Sequence, residues 1–76
     1  MKKITIEIDT DFIPAAALLK LAGIAESGGQ ASYEIQQGHV VMDGIVLTEK
    51  RKKVRPGSTV VFNGKYEIHV TGKNED

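Results

Sequence analysis

Polar and apolar residues alternate from Lys3 to Ile8, with Ile4, Ile6 and Ile8 on one side and Lys3, Thr5 and Glu7 on the other. A period of two predicts a half-buried strand. Asp9 and Asp11 end it and read as strand-end and helix-entry acids, because no third ligand follows at metal spacing. Pro14 then suits the first turn of a helix, where its missing N–H has no partner to lose. Ala15 to Ala22 has high helix propensity. Leu18, Leu21 and Ala22 are expected to share its buried face, and Gly23 to stop it. Ile24-Ala25-Glu26 is a short link, so the next helix follows at once in a tight αα unit.

That second helix carries the most signals. Ser27 and Gln30 have capping-box spacing: the hydroxyl accepts from the Gln30 N–H, and the Gln30 side chain is expected to reach back to the Ser27 N–H. Ala31 and Ile35 form one apolar stripe, with Gln30, Glu34 and Gln37 on polar sides and Gly38 as the stop. His39 to Met42 reads as a strand, Asp43-Gly44 as a two-residue hairpin turn, and Ile45 to Leu47 as the returning strand. A charged run over 49–55 follows as an exposed loop or strand extension. Arg55-Pro56-Gly57-Ser58 has the residues of a type II turn. Thr59 to Phe62 is a strand, Asn63-Gly64 a second hairpin signal, and Lys65 to Val70 alternates again. The order β-α-α-β-β-β-β makes an α+β domain, two short helices packed on a small, mainly antiparallel sheet. One domain is expected over 1–71, followed by a disordered polar tail over 72–76.

Length and composition narrow this picture without changing it. Seventy-six residues allow one domain near the lower limit for independent folding, and the absence of cysteine removes any disulfide to help it. A cysteine-free chain with no apolar run of membrane length is expected to be cytoplasmic. Net charge is zero, but its distribution is uneven. Residues 1–47 carry −3, residues 48–55 carry +4 and residues 56–76 carry −1. A local concentration of cations can steer a polyanion even on a neutral molecule.

Lys50, Arg51, Lys52, Lys53 and Arg55 are therefore candidate phosphate ligands, the two arginines through bidentate bonds. The bland alternative is a solubilising loop. Gly28 and Gly29 leave the first turn of the second helix bare, so its N–H groups can approach a phosphate; a turn requirement for glycine is the competing reading. Gln30, with Tyr33 or Gln37 on the same side, can reach hydroxyls or bases of RNA, half-buried packing being an equal reading of Tyr33. Catalytic chemistry finds no such concentration. The two histidines lie on separate strands as ordinary surface residues, and Ser27 is a cap in preference to a nucleophile. No catalytic residue, metal, cofactor or small-molecule substrate is expected.

Taken in order, these residues resemble the S4 RNA-binding domain. The pattern is an apolar helix ending in Gly, a Ser opening a second helix, a hairpin, a basic stretch and a V-x-x-G turn. Here it reads Leu18, Gly23, Ser27, Ala31, Ile35, Gly38, Val40, Met42, Asp43-Gly44, Lys50 to Lys53 and Val54-Arg55-Pro56-Gly57. The match covers roughly residues 12 to 62 and is most similar to small stand-alone bacterial members of the YaaA and YbcJ type. The resemblance implies an S4-like (alpha-L) fold and a non-catalytic module for structured RNA, ribosomal RNA and ribosome assembly included. The contacts expected of this chain are Ser27, Gly28, Gly29 and Gln30 at the helix start and Lys50, Arg51, Lys52, Lys53 and Arg55 in the basic run. Many S4 domains place Arg directly after the Ser, and a basic residue near the start of the first helix. Here Gly28-Gly29 and Phe12-Ile13-Pro14 stand instead, so neither contact is expected. The rival reading is a protein-interaction domain that docks its basic loop on an acidic partner. DNA reading by the αα unit has less support, because the second helix offers Gln, Glu and Tyr without Arg or Lys.

Overall fold

Alternation becomes a sheet once the strands find their register. The computed structural model describes residues 1–73. Its elements run β1 (Lys2–Ile8), β2 (Ile13–Pro14), α1 (Ala15–Leu21), α2 (Gly28–Gln36), β3 (Val40–Met42), β4 (Ile45–Val46), β5 (Lys53–Val54), β6 (Thr59–Phe62) and β7 (Tyr66–Gly72). Five strands form one sheet in the order β1-β7-β6-β3-β4, and β2 with β5 forms a separate two-stranded ladder. Among the described residues only β1 and β7 pair in parallel; every other pairing is antiparallel. The architecture is α+β, two helices on a mainly antiparallel sheet.

Register decides which side chains meet. Ile4, Ile68, Val60, Met42 and Ile45 fall in one cross-strand row, Ile6 lies beside Val70, and Phe62 lies between Tyr66 and Val40. Apart from Ile45, which is exposed at the sheet edge, that face meets Ala15, Leu18 and Leu19 of α1 and Ala31 and Ile35 of α2, with Ala25, Leu47 and Val54 completing the core. Each fully buried Leu contributes about 1.5–3 kcal/mol by leaving water.

The turns behave as their residues predict. Asp43-Gly44 and Asn63-Gly64 both have positive φ at both positions, as a type I′ turn requires. In the second, Lys65 adds one residue before β7 begins at Tyr66. Gly57 alone has positive φ in its turn, and the Ser58 N–H donates to the Arg55 carbonyl (3.1 Å), giving type II. Both helices end in Schellman motifs: Ile24 and Gly23 donate to Leu19 and Lys20, and His39 and Gly38 donate to Glu34 and Ile35.

Four expectations are corrected. The buried face of α1 is Ala15, Leu18 and Leu19 with Ala22 at its margin, while Leu21 is 58% exposed. Positions 15, 18, 19 and 22 make one stripe at 3.6 residues per turn, and position 21 falls outside it. Pro14 is the N-cap and not a first-turn residue (φ −61°, ψ 143°), and its extended backbone lets Ile13–Pro14 pair with Lys53–Val54. The charged run, expected to be exposed as a loop or strand extension, does include a short strand, but Val54 within it is fully buried. Finally, β7 continues past Val70 to Gly72, and the Lys73 N–H donates to the Ile8 carbonyl (2.8 Å). Pairing with β1 extends the strand beyond its alternating residues, so Gly72, expected in the tail over 72–76, belongs to the sheet; residues 74–76 lie outside the described residues.

Candidate nucleic-acid interface

The basic run is held by its backbone. The Ala15 N–H donates to the Lys52 carbonyl (2.9 Å) and the Ala16 N–H to the Lys50 carbonyl (3.0 Å). α1 has no side-chain cap, so these carbonyls serve two of the N–H groups that a helix start leaves unpaired. A turn inside the run, Lys52 N–H to Glu49 carbonyl (3.2 Å), and the β2–β5 ladder fix its shape. Anchoring through carbonyls leaves the side chains outside. Lys50, Arg51, Lys52, Lys53 and Arg55 are all exposed. None of them forms an ion pair with a carboxylate among the described residues. Lys53 alone has a ring partner, its Nζ lying 4.9 Å from the centroid of the Phe12 ring, a cation–π contact. Phe12, just ahead of α1, thus positions a cation from another segment.

The start of α2 is built differently. Ser27 Oγ accepts from the Gln30 N–H (3.1 Å), as expected for the cap. The reciprocal bond lands one residue early: Gln30 Oε1 accepts from the Glu26 N–H (3.1 Å), not from Ser27. The Ser27 carbonyl accepts from Ala31 (3.0 Å). The Gly28 and Gly29 N–H groups find no acceptor among the described residues, and no acid occupies the first turn. A Cβ added at Gly28 would meet nothing within 4 Å, and one at Gly29 only Ser27 Oγ at 3.8 Å. The glycines are therefore not demanded by internal packing. Ser27, Gly28, Gly29 and Gln30 are all exposed.

The nine predicted residues thus form two groups on two anchors. The cations hang on the start of α1, and the bare turn opens α2, which begins beyond the far end of α1. Backbone capping of α1 was invisible beforehand because carbonyls carry no sequence signal; the buried Val54 among charges was the one available hint.

The remaining titratable groups sit elsewhere. His39 Nδ1 lies 3.0 Å from Glu34 Oε2 at the end of α2, and His69 Nε2 lies 2.7 Å from Glu67 Oε2 on β7. The hydrogen bond from His69 holds the Glu67 carboxyl below its ordinary value, with Lys3 across the ladder adding to the effect. Among the described residues no group of three or more His, Asp or Glu could hold a metal, and no helix is long and apolar enough to cross a membrane.

Comparison with known proteins places this geometry among relatives. Residues 6–71 match the model of the S4 domain. A putative RNA-binding protein YbcJ of Escherichia coli is 53% identical over 47 residues, which span 62% of this chain and 67% of that protein. A tyrosine–tRNA ligase of Ralstonia nicotianae is 42% identical over 60 residues, 79% of this chain but 15% of that enzyme. The solution structure of Escherichia coli YbcJ, described as revealing an alpha-L motif involved in RNA binding, superposes with a TM-score of 0.68. It is 40% identical in sequence and covers 88% of this chain and 85% of that one.

Proposed function

The chain belongs to the S4 domain family, and from that premise we propose that it is a non-catalytic module that binds structured RNA. Phosphates are held by Lys50, Arg51, Lys52, Lys53 and Arg55, and by the N–H groups at the start of α2 around Ser27, Gly28, Gly29 and Gln30. The setting is the cytoplasm, the RNA ribosomal, and the task ribosome assembly. The observation that carries this reading is the basic run itself: its backbone is fastened to α1 while its five cations have no carboxylate partner among the described residues. Such an array suits a backbone-tracking polyanion site, since phosphate contacts position a nucleic acid without reading its sequence. The ligase relative supports binding and not chemistry, because the shared part is 15% of that enzyme.

The test is a salt titration of the purified protein with a structured ribosomal RNA fragment. Four or five engaged phosphates give a fall of log K with log salt of slope about −3 to −4. Affinity indifferent to salt, or no RNA binding beside retention on an acidic protein, would return the rival reading of a protein-docking loop.

A further inference from the structure

Tyr33 is the exposed aromatic residue that the phosphate site leaves unused. At 3.6 residues per turn it stands directly opposite the buried stripe of Ala31 and Ile35, on the outer crest of α2. It is 57% exposed. Its neighbours on that crest are Gly29, Gln30, Gln36 and Gln37, all exposed and all uncharged. The single acid of α2, Glu34, lies off the crest with its carboxylate at His39 Nδ1. A ring flanked by neutral amides, on a helix whose first turn holds no acid, repels no polyanion. Its neighbours also bring both donors and acceptors to the ring's edges.

We propose that Tyr33 is a stacking platform for one unpaired nucleotide, with Gln30 and Gln37 hydrogen-bonding its base edge or 2′-hydroxyl. The inference rests on the RNA-binding reading and deepens it: the RNA is a paired stem interrupted by a bulge or loop, not a plain duplex. Paired bases offer no face to a protein side chain, whereas a splayed base stacks on an aromatic ring and exposes its hydrogen-bonding edges. The cations then track the stem, and Tyr33 selects its irregularity.

The composition supplies a clean probe. The chain has no Trp and two Tyr, and Tyr66 is half-buried with its ring 6.4 Å from that of Phe62. In a Tyr66→Phe protein, Tyr33 is the sole tyrosine and its emission reports directly on stacking. Two RNA hairpins are compared, one with a single bulged adenosine in its stem and one fully paired. Tyr33→Ala is expected to weaken the bulged RNA by about five- to 150-fold, the range for one base on an aromatic ring. The paired stem should change less than about twofold, and Tyr33→Phe should bind both like the wild type. Bulged RNA should quench the single-tyrosine protein more than the paired stem does. Equal affinity of Tyr33→Ala and wild type for the bulged RNA, or equal losses on both RNAs, overturns the inference while leaving the phosphate site standing. Absence of salt-sensitive binding to either hairpin overturns both.

Discussion

The two helices begin in opposite ways. α1 starts on Pro14, has no side-chain cap, and gives its first N–H groups to the carbonyls of Lys52 and Lys50. α2 starts on Ser27, whose hydroxyl caps one N–H, and leaves those of Gly28 and Gly29 facing outward. A helix start has a fixed set of donors to satisfy. Spending them on a neighbouring loop makes a joint; leaving them open makes a surface. In the proposed site, the first helix therefore acts indirectly, by holding five cations in place, and the second acts by contact.

The largest effect should come from breaking the joint. Val54 is fully buried between charged neighbours, and the Ile13–Val54 pairing is what brings the loop carbonyls to α1. Val54→Asp places a carboxylate in the core without a partner. The cost should exceed about 4 kcal/mol, a large part of the stability of a small domain. A thermal scan followed by circular dichroism should show loss of the cooperative melt. A variant melting within a few degrees of the wild type would mean that the loop is not part of the core.

A middling effect should separate the loop's backbone from its side chains. Replacing Lys50 and Lys52 together by Ala keeps both carbonyls that cap α1. Stability should change by no more than about 0.5 kcal/mol, as for ordinary surface substitutions. For a domain of this size that is a shift of roughly 2–4 °C. RNA affinity should fall, and the salt slope should become shallower by about two, one for each lost phosphate contact. A large drop in melting temperature would show that the lysine side chains themselves build the joint.

How much of this was legible in the sequence follows from the same contrast. Elements specified by side chains were readable: the Ser27 cap, the Gly23 and Gly38 stops, the two Xaa-Gly hairpins and the alternation of β1 and β7 all stand where their residues put them. Elements specified by backbone meeting backbone were not. The β2–β5 ladder is two residues long, and α1 is capped by carbonyls that every residue possesses. The parallel pairing of β1 with β7 joins the two ends of the chain, a long-range contact with no local signature. The Leu21 assignment failed for a simpler reason: in a run as apolar as Ala15–Leu21 a single polar residue, Lys20, is too little to locate both borders of the stripe. The candidate site divides in the same way. Its cations and glycines could be named, but not the separate anchors that hold them.

The smallest expected effect tests the open end of the comparison. Gly28 has room for a side chain, since a Cβ there meets nothing within 4 Å. Gly28→Ala should therefore fold normally and bind RNA like the wild type, serving as the steric control. Gly28→Glu puts a carboxylate at the positive end of the α2 dipole, where an acid stabilises a helix by about 0.3–1 kcal/mol. Its melting temperature should be unchanged or raised, so unfolding cannot account for weaker binding. If a phosphate approaches these N–H groups, the new charge competes with it, and affinity should fall by roughly two- to fivefold, the size of one charge–dipole contact. The loss should shrink at high salt, where exposed charges are screened. Weakening by Glu but not by Ala assigns the effect to charge at the helix start. Should both variants bind like the wild type, the bare turn of α2 is not in contact with RNA. The joint on α1 would then carry the whole phosphate site.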